Sequence, residues 1–482
     1  SYNNISTNEI IGNKHGIYLT YSQNNIIDDN NITSSSQDGI YLEYSSNNII
    51  VDNCIEENVD DGIHLKNSPS NNITTNIISR NSGYGVYVED SSNTSLITNM
   101  FNNDGLFVDS SYNNTVMDNI VNEKPLFYLE NTSNHIIEDV GQVVLVNCSH
   151  ITIRNIDTSK VDIGIELWCT NNSKIVSNII MNNYYGIYLY YSSNNTISGN
   201  RIADNENGIY IYDSGNNSIY ENRIAGCDSY GIYLKGSSNI LLKNNIMGCE
   251  YGIYLTDASN NNISSNYLSG NRYGGYIAGP SNILNNNIAT KNQYGLYIRG
   301  SSKMIENNTV TDNYYGIYVR GSSNNIYNNT VFNNHYAVYL EQPPPSGWQS
   351  TVISNNIISG NNLINNDYGI FIKAYSSGIG AQGGVKNNRI IGNNITYNEY
   401  GVFLFSTWES YYYGNKINNN TIENNHYGIY LYCSQMNFFD GNHINYNFIK
   451  DNYYGVYTFV VTTLDPRQPN KITENIFINN QY

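Results

Sequence analysis

The residues best suited to chemistry are aspartates near the N-terminus of the sequence. Asp29 and Asp52 occupy one position of a sequence repeat, and Asp38 and Asp61 occupy another. Stacked repeats would bring each pair to about 5 Å, where like charges repel unless a cation or a proton lies between them. Oxygen ligands suit Ca²⁺, so these four residues are a candidate Ca²⁺ site. The favoured alternative is a solvated acidic surface.

Aromatic residues in the last third of the sequence form a second candidate site. After Ala337 one turn of the repeat lengthens in consecutive copies, and insertions at one position of a solenoid project from one face, which is often the binding face. The rings suit a sugar site, a protein interface or packing of the loops on one another, and all three interpretations stay open. The insertions span residues 342–350, 374–386, 406–414, 433–441 and 458–470, and the candidate residues are Trp348, Trp408, Tyr411, Tyr412, Tyr413, Phe438 and Phe439.

These residues are positioned by a repeat that fills the whole sequence. A Gly followed by apolar, aromatic and apolar residues recurs in about 20 copies, as in Gly16-Ile-Tyr-Leu and Gly186-Ile-Tyr-Leu. Each copy has three short apolar segments separated by turns, and none is long enough for a helix. This pattern predicts an all-β fold, a parallel β-helix in which each coil stacks on the last. We expect one continuous β-helix over residues 1–482, with regular coils over 1–341 and enlarged loops over 342–470.

The Asn content fits such a coil. The sequence has about 90 Asn, and Asn200, Asn222, Asn244 and Asn266 recur every 22 residues. Asn tolerates the left-handed backbone of tight corners, and stacked Asn side chains can hydrogen-bond in a ladder. These Asn are therefore predicted to be structural rather than catalytic.

A Tyr recurs at one outward strand position along the sequence. Aromatic ladders stabilise neighbouring strands, and a long exposed aromatic stripe can also serve as a contact surface. Lateral packing into a layer or sheath and simple stabilisation of the ladder are about equally favoured. The candidate assembly residues are Tyr188, Tyr210, Tyr233, Tyr254, Tyr297 and Tyr318.

Charge and composition exclude several classes of function. The net charge is −17 and the pI about 4.7, which argues against a protein that tracks nucleic-acid phosphates. No apolar run approaches the ~18 residues of a membrane span. The sequence starts at Ser1 without a signal peptide, so we expect a processed or trimmed extracellular protein.

Two kinds of covalent feature are consistent with an extracellular location. Cys227 and Cys249 are 22 residues apart, one coil, which places a disulfide within reach; buried free thiols are the alternative. Asn-x-Ser/Thr sequons are no more frequent than chance predicts, so they permit glycosylation without requiring it. The candidate sites are Asn31, Asn72, Asn194, Asn216, Asn262, Asn307, Asn328 and Asn394.

The frame Asn-Asn-x-Ile, then Asn, then Gly-Ile-Tyr-Leu-x-x-Ser-Ser-Asn-Asn resembles the NosD-type, or CASH, right-handed β-helix family over essentially the whole sequence. The resemblance implies extracellular or periplasmic proteins that bind or cut carbohydrates, copper-delivery accessories and archaeal surface proteins. Copper delivery would need Met and His ligands, which do not cluster here. No Asp-Pro-His run and no Asn-Thr-Asp followed by an Asp-Asp pair occurs, so no catalytic residue is predicted. An enzyme of this kind would be a polysaccharide lyase or a glycoside hydrolase.

Two functions follow from the sequence. The favoured one is an extracellular surface protein that assembles with itself through the Tyr ladder and through ends that lack visible caps. The alternative is a protein that binds or cleaves an envelope polysaccharide through the C-terminal aromatic loops. We expect no cofactor other than a possible Ca²⁺, no nucleic-acid partner and no membrane span.

Overall fold

The structure is a computed structural model that describes residues 2–342, 352–374, 384–406, 411–433, 438–460 and 469–482. Regular structure in these residues consists of β-strands. The chain divides into two compact units, Ser1–Tyr233 (unit 1) and Leu234–Tyr482 (unit 2). The described part of the chain contains no helix long and apolar enough to span a membrane.

Each coil has three strands, which we assign to faces A, B and C in chain order. In one coil of unit 1 these strands are Thr196–Ser198, Arg201–Ala203 and Asn207–Tyr212. Each strand pairs in parallel with its equivalent one coil away, with Ile197 opposite Ile219 on face A. Alternation turns one apolar side chain per short strand inward, so isoleucines stack into the core. The predicted all-β parallel β-helix is therefore confirmed.

The strands of unit 1 lie on three faces. Face A contains Asn4–Ser6, Ile26–Asp28, Ile49–Val51, Asn72–Thr74, Ser95–Ile97, Thr115–Met117, Ile136–Ile137, Thr152–Arg154, Lys174–Val176, Thr196–Ser198 and Ser218–Tyr220. Face B contains Glu9–Ile11, Asn31–Thr33, Cys54–Glu56, Ile77–Ser79, Met100–Asn102, Ile120–Val121, Asp157–Ser159, Ile179–Met181, Arg201–Ala203 and Arg223–Ala225. Face C contains Ile17–Thr20, Ile40–Glu43, Ile63–Lys66, Val86–Glu89, Leu106–Asp109, Lys124–Glu130, Gln142–Val146, Ile163–Trp168, Tyr185–Tyr190, Asn207–Tyr212 and Tyr230–Lys235, the last of which ends in unit 2.

Unit 2 repeats the three faces. Face A contains Ile240–Leu242, Asn262–Ser264, Ile283–Asn285, Met304–Glu306, Asn325–Tyr327, Ile357–Ser359, Arg389–Ile391, Lys416–Asn418, His443–Asn445 and Lys471–Thr473. Face B contains Asn245–Met247, Tyr267–Ser269, Ile288–Thr290, Thr309–Thr311, Thr330–Phe332, Asn362–Ile364, Asn394–Thr396, Thr421–Glu423, Phe448–Lys450 and Ile476–Ile478. Face C contains Tyr251–Leu255, Tyr273–Ile277, Tyr294–Arg299, Tyr315–Arg320, Tyr336–Glu341, Tyr368–Ala374, Tyr400–Ser406, Tyr427–Cys433 and Tyr454–Val460.

Unit 2 also has a fourth face that the sequence did not predict. Four of the predicted insertions contain or directly precede a short strand, and these strands stack in parallel on one another as face D. Part of the inserted sequence is therefore a continuation of the solenoid rather than loop. The strands of face D are Val352–Ser354, Gly384–Lys386, Tyr411–Tyr413 and Phe438–Asp440.

Regular stacking is interrupted once inside unit 1. Leu106–Asp109 is the last strand of its segment of face C. The chain then turns back, so that Lys124–Glu130 pairs antiparallel with Ile120–Val121 before pairing in parallel with Gln142–Val146. We call this interruption the break. It lies between Gly105 and Gly164, where the sequence repeat is degenerate and two copies, near Leu126 and Gln142, lack the Gly-apolar-aromatic-apolar pattern.

Polar side chains complete the open strand edge at the break. Backbone N–H groups of Leu106–Asp109 and its preceding residue donate to side chains from later coils, which replace the missing strand. A buried N–H without an acceptor would cost about 1–3 kcal/mol, so each of these contacts stabilises the break. The contacts are Leu106 N to Gln142 Oε1 at 2.9 Å, Gly105 N to Asp162 Oδ2 at 2.8 Å and Val108 N to Glu166 Oε2 at 3.3 Å.

The predicted Asn ladders are present in both units. Asn200 Nδ2 donates to Asn222 Oδ1 at 2.9 Å in unit 1. Asn244 Nδ2 donates to Asn266 Oδ1 at 3.0 Å in unit 2. The receiving oxygen also accepts the backbone N–H of the donating residue, as at Asn244 N to Asn266 Oδ1 (2.9 Å). These buried amides hold the coil corners in register.

One ladder of unit 2 contains a lysine in place of Asn. Lys303 follows Asn282 in the series, its backbone N–H donates to Asn324 Oδ1 at 3.1 Å, and its Nζ donates to Arg299 O at 2.5 Å. The side chain is only 1% exposed. Burial lowers the pKa of Lys303 to about 8, because the charged ammonium is removed from water.

Replacing Lys303 by Asn is therefore expected to stabilise the protein. The amide restores the ladder and removes a buried charge, which raises the free energy of unfolding at neutral pH by about 3 kcal/mol. A Lys with a lowered folded-state pKa destabilises below that pKa, and the penalty fades as pH rises from about 8 to 10.5. Urea unfolding at several pH values should show this rise for the parent chain but not for Lys303→Asn. Lys416→Asn is the matched control, because Lys416 is exposed; it should change neither the free energy of unfolding nor its pH dependence. A Lys303→Asn variant that is less stable than the parent chain would contradict the ladder interpretation.

The predicted Tyr ladder exists, but part of it is not exposed. Rings of neighbouring coils stack, with centroids 4.9 Å apart for Tyr297 and Tyr318. Tyr297 and Tyr318 are buried because flanking rings such as Tyr294 and Tyr315 pack edge-on against them. The expectation of an exposed assembly stripe is therefore wrong at these two positions. The other four candidates, Tyr188, Tyr210, Tyr233 and Tyr254, are half-buried.

Candidate functional site

A cleft of about 400 Å³ opens in unit 1 beside the break. Its volume lies within the range of about 300–1,000 Å³ typical of ligand pockets. Aromatic and acidic side chains dominate its walls. The lining residues are Asp60, Asp61, His64, Ser82, Gly83, Tyr84, Tyr87, Asp162 and Tyr184.

Asp61 is the most constrained carboxyl group of the cleft. Its Oδ1 accepts the backbone N–H of Tyr84 at 2.6 Å, and its Oδ2 lies 3.3 Å from Nδ1 of His64. A Cβ at position 83 would lie 2.5 Å from Asp61 Oδ1, so Gly83 leaves room for this carboxyl. Asp61 is therefore held at one orientation by backbone and side-chain contacts.

The predicted pairing of Asp38 with Asp61 is present and is extended by histidines. Asp38 Oδ1 accepts the backbone N–H of Asp61 at 3.1 Å, and Asp38 Oδ2 lies 3.1 Å from Nδ1 of His15. His64 bridges from Asp61 to Glu89, whose Oε2 is 3.1 Å from its Nε2. An imidazole nitrogen therefore lies beside each carboxyl group of the stacked pair, His15 beside Asp38 and His64 beside Asp61.

Burial shifts the acid–base properties of this network. It raises the pKa of Asp61 to about 8, mainly by desolvating the charged form. Burial also raises the pKa of Asp38 and lowers that of His64. At neutral pH Asp61 therefore carries a proton and can donate a hydrogen bond, which is the property of a general acid.

Asp162 forms the far wall of the cleft. Its Oδ2 accepts the backbone N–H groups of Gly85 (2.9 Å) and Gly105 (2.8 Å). Burial raises the pKa of Asp162 well above its usual range, with nearby Asp104 acting in the same direction. The break therefore positions a second buried carboxyl group in the cleft that Asp61 lines.

Tyrosines form the apolar walls. The ring of Tyr84 packs against Phe107 with centroids 4.6 Å apart, and Tyr87 stacks on His64 at 4.6 Å. The aromatic ladder continues across the break, where Phe107 meets Tyr188 edge-on at 5.6 Å. Tyr184 is 51% exposed at the cleft, where its ring meets the ring of Tyr185 edge-on at 4.7 Å.

The structure separates the four predicted metal ligands. Ligand atoms of Asp38, Asp61 and His64 lie within 4.8 Å of one another, and no other such His, Cys, Asp or Glu group occurs among the described residues. Asp29 and Asp52 lie outside it, exposed at corners with φ of 52° and 54°. Ca²⁺ binding at the four aspartates therefore stays a prediction.

The aromatic candidates of the last third are only partly placed. Trp348 and Trp408 lie outside the described residues. Tyr412 is buried, and its hydroxyl lies within hydrogen-bond distance of two carbonyl oxygens, Ile372 O (2.8 Å) and Phe405 O (2.7 Å), so its ring is not available to a ligand. Tyr413 is exposed. The backbones of Tyr411, Phe438 and Phe439 lie in face D.

The covalent predictions stay open. Cys227 of unit 1 and Cys249 of unit 2 are both buried, and their disulfide remains a prediction. Glycosylation also remains a prediction. Asn31 and Asn72 are half-buried, whereas the exposed candidates are Asn194, Asn216, Asn262, Asn307, Asn328 and Asn394.

Sequence comparison decides the family. The family model described as "Periplasmic copper-binding protein (NosD)" matches residues 1–115 and 127–281, more than half of the chain. The chain belongs to the NosD family. A second model, the right-handed β-helix region, matches residues 282–482 of this NosD protein. No curated protein sequence matches the chain significantly.

Solved structures similar to the NosD chain match it at low identity and low TM-score. The Dettilon tailspike protein is 16% identical with a TM-score of 0.36, over 66% of this chain and 62% of the tailspike. The A-module of the Azotobacter vinelandii mannuronan C-5 epimerase AlgE6 is 10% identical with a TM-score of 0.25, over 89% of this chain and 90% of the module. DFA-IIIase from Arthrobacter chlorophenolicus A6 is 13% identical with a TM-score of 0.29, over 58% of this chain and 74% of the DFA-IIIase chain.

The family description names copper, but the acid cluster of this NosD protein does not fit copper. Copper prefers thiolate, thioether and imidazole ligands. The cluster offers carboxylate oxygens and one imidazole, and both nitrogens of His64 already contact Asp61 and Glu89. The donors of the cluster therefore serve each other rather than a copper ion.

Proposed function

We propose that this protein binds a saccharide in the cleft of unit 1. The observation that carries the proposal is the position of the buried carboxyl groups of Asp61 and Asp162 among the rings of Tyr84, Tyr87 and Tyr184. Sugar rings present apolar faces for stacking and hydroxyl groups for hydrogen bonds, and the cleft offers both kinds of contact. The carbohydrate alternative drawn from the sequence is thus moved from the C-terminal loops to unit 1.

The family description supports a location outside the cytoplasm, where envelope saccharides occur. Asp61 also has the protonation state of a general acid, so the same site can be tested for cleavage of a bound saccharide. Self-assembly through the Tyr ladder loses part of its support, because Tyr297 and Tyr318 are buried.

Calorimetric titration of the full chain with a panel of oligosaccharides tests the proposal. Tyr184→Asn is expected to weaken binding about tenfold, because it removes the exposed ring at the mouth. Tyr191→Asn is the matched control, since Tyr191 is equally exposed (51%) and lies in the same unit outside the cleft. Equal loss in both variants, or no binding of any saccharide by the parent chain, would contradict the proposal. Release of new reducing ends during the titration would identify cleavage.

A further inference from the structure

Asp60 is the exposed carboxylate of the cleft wall, whereas Asp61 and Asp162 are buried. Three of the nine lining residues are aspartates, and none is Lys or Arg. A ligand that carries carboxylates would meet acidic groups without a basic partner. A ligand that carries an ammonium would meet acceptors instead.

The basic side chains nearest in sequence are already paired with acids. Lys66 Nζ lies 3.0 Å from Glu89 Oε2, and Arg80 contacts Glu56 and Glu57 at 2.9 and 3.0 Å. Neither cation lines the cleft. They therefore do not offset the acidity of the wall.

The acceptors and rings of the cleft suit an amine. Asp60 is exposed at the wall, next to the buried carboxyl of Asp61. An ammonium donates several hydrogen bonds, and it is attracted to the face of a Tyr ring within about 6 Å. The ring of Tyr184 provides such a face at the mouth, while Tyr84 and Tyr87 line the wall.

Resting on the proposed function, we infer that the saccharide bound in the cleft is an amino sugar or an oligomer of amino sugars. Asp60 binds the ammonium, and the Tyr rings pack against the sugar face. A cleft that binds uronic acids would instead need basic residues in its wall, and the lining of this cleft contains no Lys or Arg.

The test compares three ligands of equal length: glucosamine oligomers, their N-acetylated counterparts and oligo-uronates. Calorimetry of the full chain at about pH 6, where a sugar amine is charged, should show at least about tenfold tighter binding of the free amines. This preference should shrink as salt is added, because the contact is ionic. The comparison of ligands uses the unaltered protein, so it does not depend on the folding of any variant.

Two variants test whether the carboxylate of Asp60 causes the tighter binding of the free amines. Asp60→Asn should lose about tenfold in affinity for the amine and nothing for the N-acetylated ligand. Asp118→Asn removes an exposed carboxylate of unit 1 outside the cleft and should bind all three ligands like the parent chain. Unchanged amine affinity in Asp60→Asn would overturn the inference.

The ligand comparison separates the two proposals. Equal or tighter binding of N-acetylated sugars or of uronates in the cleft would overturn the amino-sugar inference and leave saccharide binding intact. Absence of binding by every saccharide would overturn both. Tighter binding of the free amines that Tyr184→Asn weakens would support both.

Discussion

Replacing Asn287 by Ala is expected to lower the free energy of unfolding by about 5 kcal/mol. Asn287 sits in the middle of a ladder of unit 2, where its Nδ2 donates to Ile263 O (2.8 Å) and Asn308 Oδ1 (3.0 Å). Its Oδ1 accepts both the N–H and the Nδ2 of Asn266. Ala leaves these buried groups without partners, and each unsatisfied group costs about 1–3 kcal/mol.

Denaturant unfolding followed by circular dichroism measures this effect. Asn262→Ala is the control, because Asn262 is an exposed strand residue of the same unit. A surface change of this kind should stay within about 0.5 kcal/mol. Equal destabilisation in the two variants would mean that the ladder hydrogen bonds of Asn287 contribute no more to folding stability than an exposed strand side chain does.

Replacing Asp104 by Asn is expected to remove a loss of folding stability that the parent chain shows as pH rises. Asp104 occupies a ladder position, where its carboxyl accepts the N–H and Nδ2 of Asn81 at 3.1 and 2.9 Å. Burial raises the pKa of Asp104 to about 7, opposed by the contacts with Asn81 and by Arg80, and supported by Asp61. An Asn amide oxygen can accept the same hydrogen bonds without acquiring a charge.

The direction of the pH dependence follows from that raised pKa. A carboxyl whose pKa is higher in the folded state stabilises the fold below its unfolded pKa, near 4, and loses that contribution as pH rises through 7. The loss for Asp104 amounts to about 4 kcal/mol. Asp104→Asn should therefore match the parent at about pH 4 and exceed it by that amount at about pH 8.

Thermal and urea unfolding across this pH range measures the difference. Asp118→Asn, which removes an exposed carboxylate of the same unit, should follow the parent chain at every pH. Parallel pH profiles for Asp104→Asn and the parent would show that Asp104 is not buried as a neutral acid. The remaining pH dependence of the Asp104→Asn variant should come from the other buried carboxyl groups with raised pKa values, among them Asp61, Asp38 and Asp162.

Much of the fold follows from residues in register. The spacing of 22 between Asn200 and Asn222 predicted their hydrogen bond because a solenoid places equivalent positions on top of each other. The same reasoning brought Asp38 and Asp61 together. The burial of Tyr297 could not be derived in this way, since it depends on how the neighbouring Tyr rings tilt.

The cleft depends on a feature that repeat spacing cannot describe. Tyr84, Asp162 and Tyr184 line one cavity because the chain turns back at the break, so residues far apart in sequence become neighbours. The sequence signals were the degenerate repeats before Gly164 and the aspartates that replace Tyr before Gly39 and Gly62. His64 was not recognised because it occupies a ladder position otherwise filled by Tyr.

We propose the cleft of unit 1 as the saccharide-binding site of this protein. The crystal structure of the full chain grown with the tightest-binding saccharide of the panel tests it most directly. We expect density for a sugar ring against Tyr184, with a sugar nitrogen or oxygen within hydrogen-bond distance of Asp60 or Asp61. A sugar bound instead at Trp348 or Trp408, with the cleft holding only solvent, would contradict it.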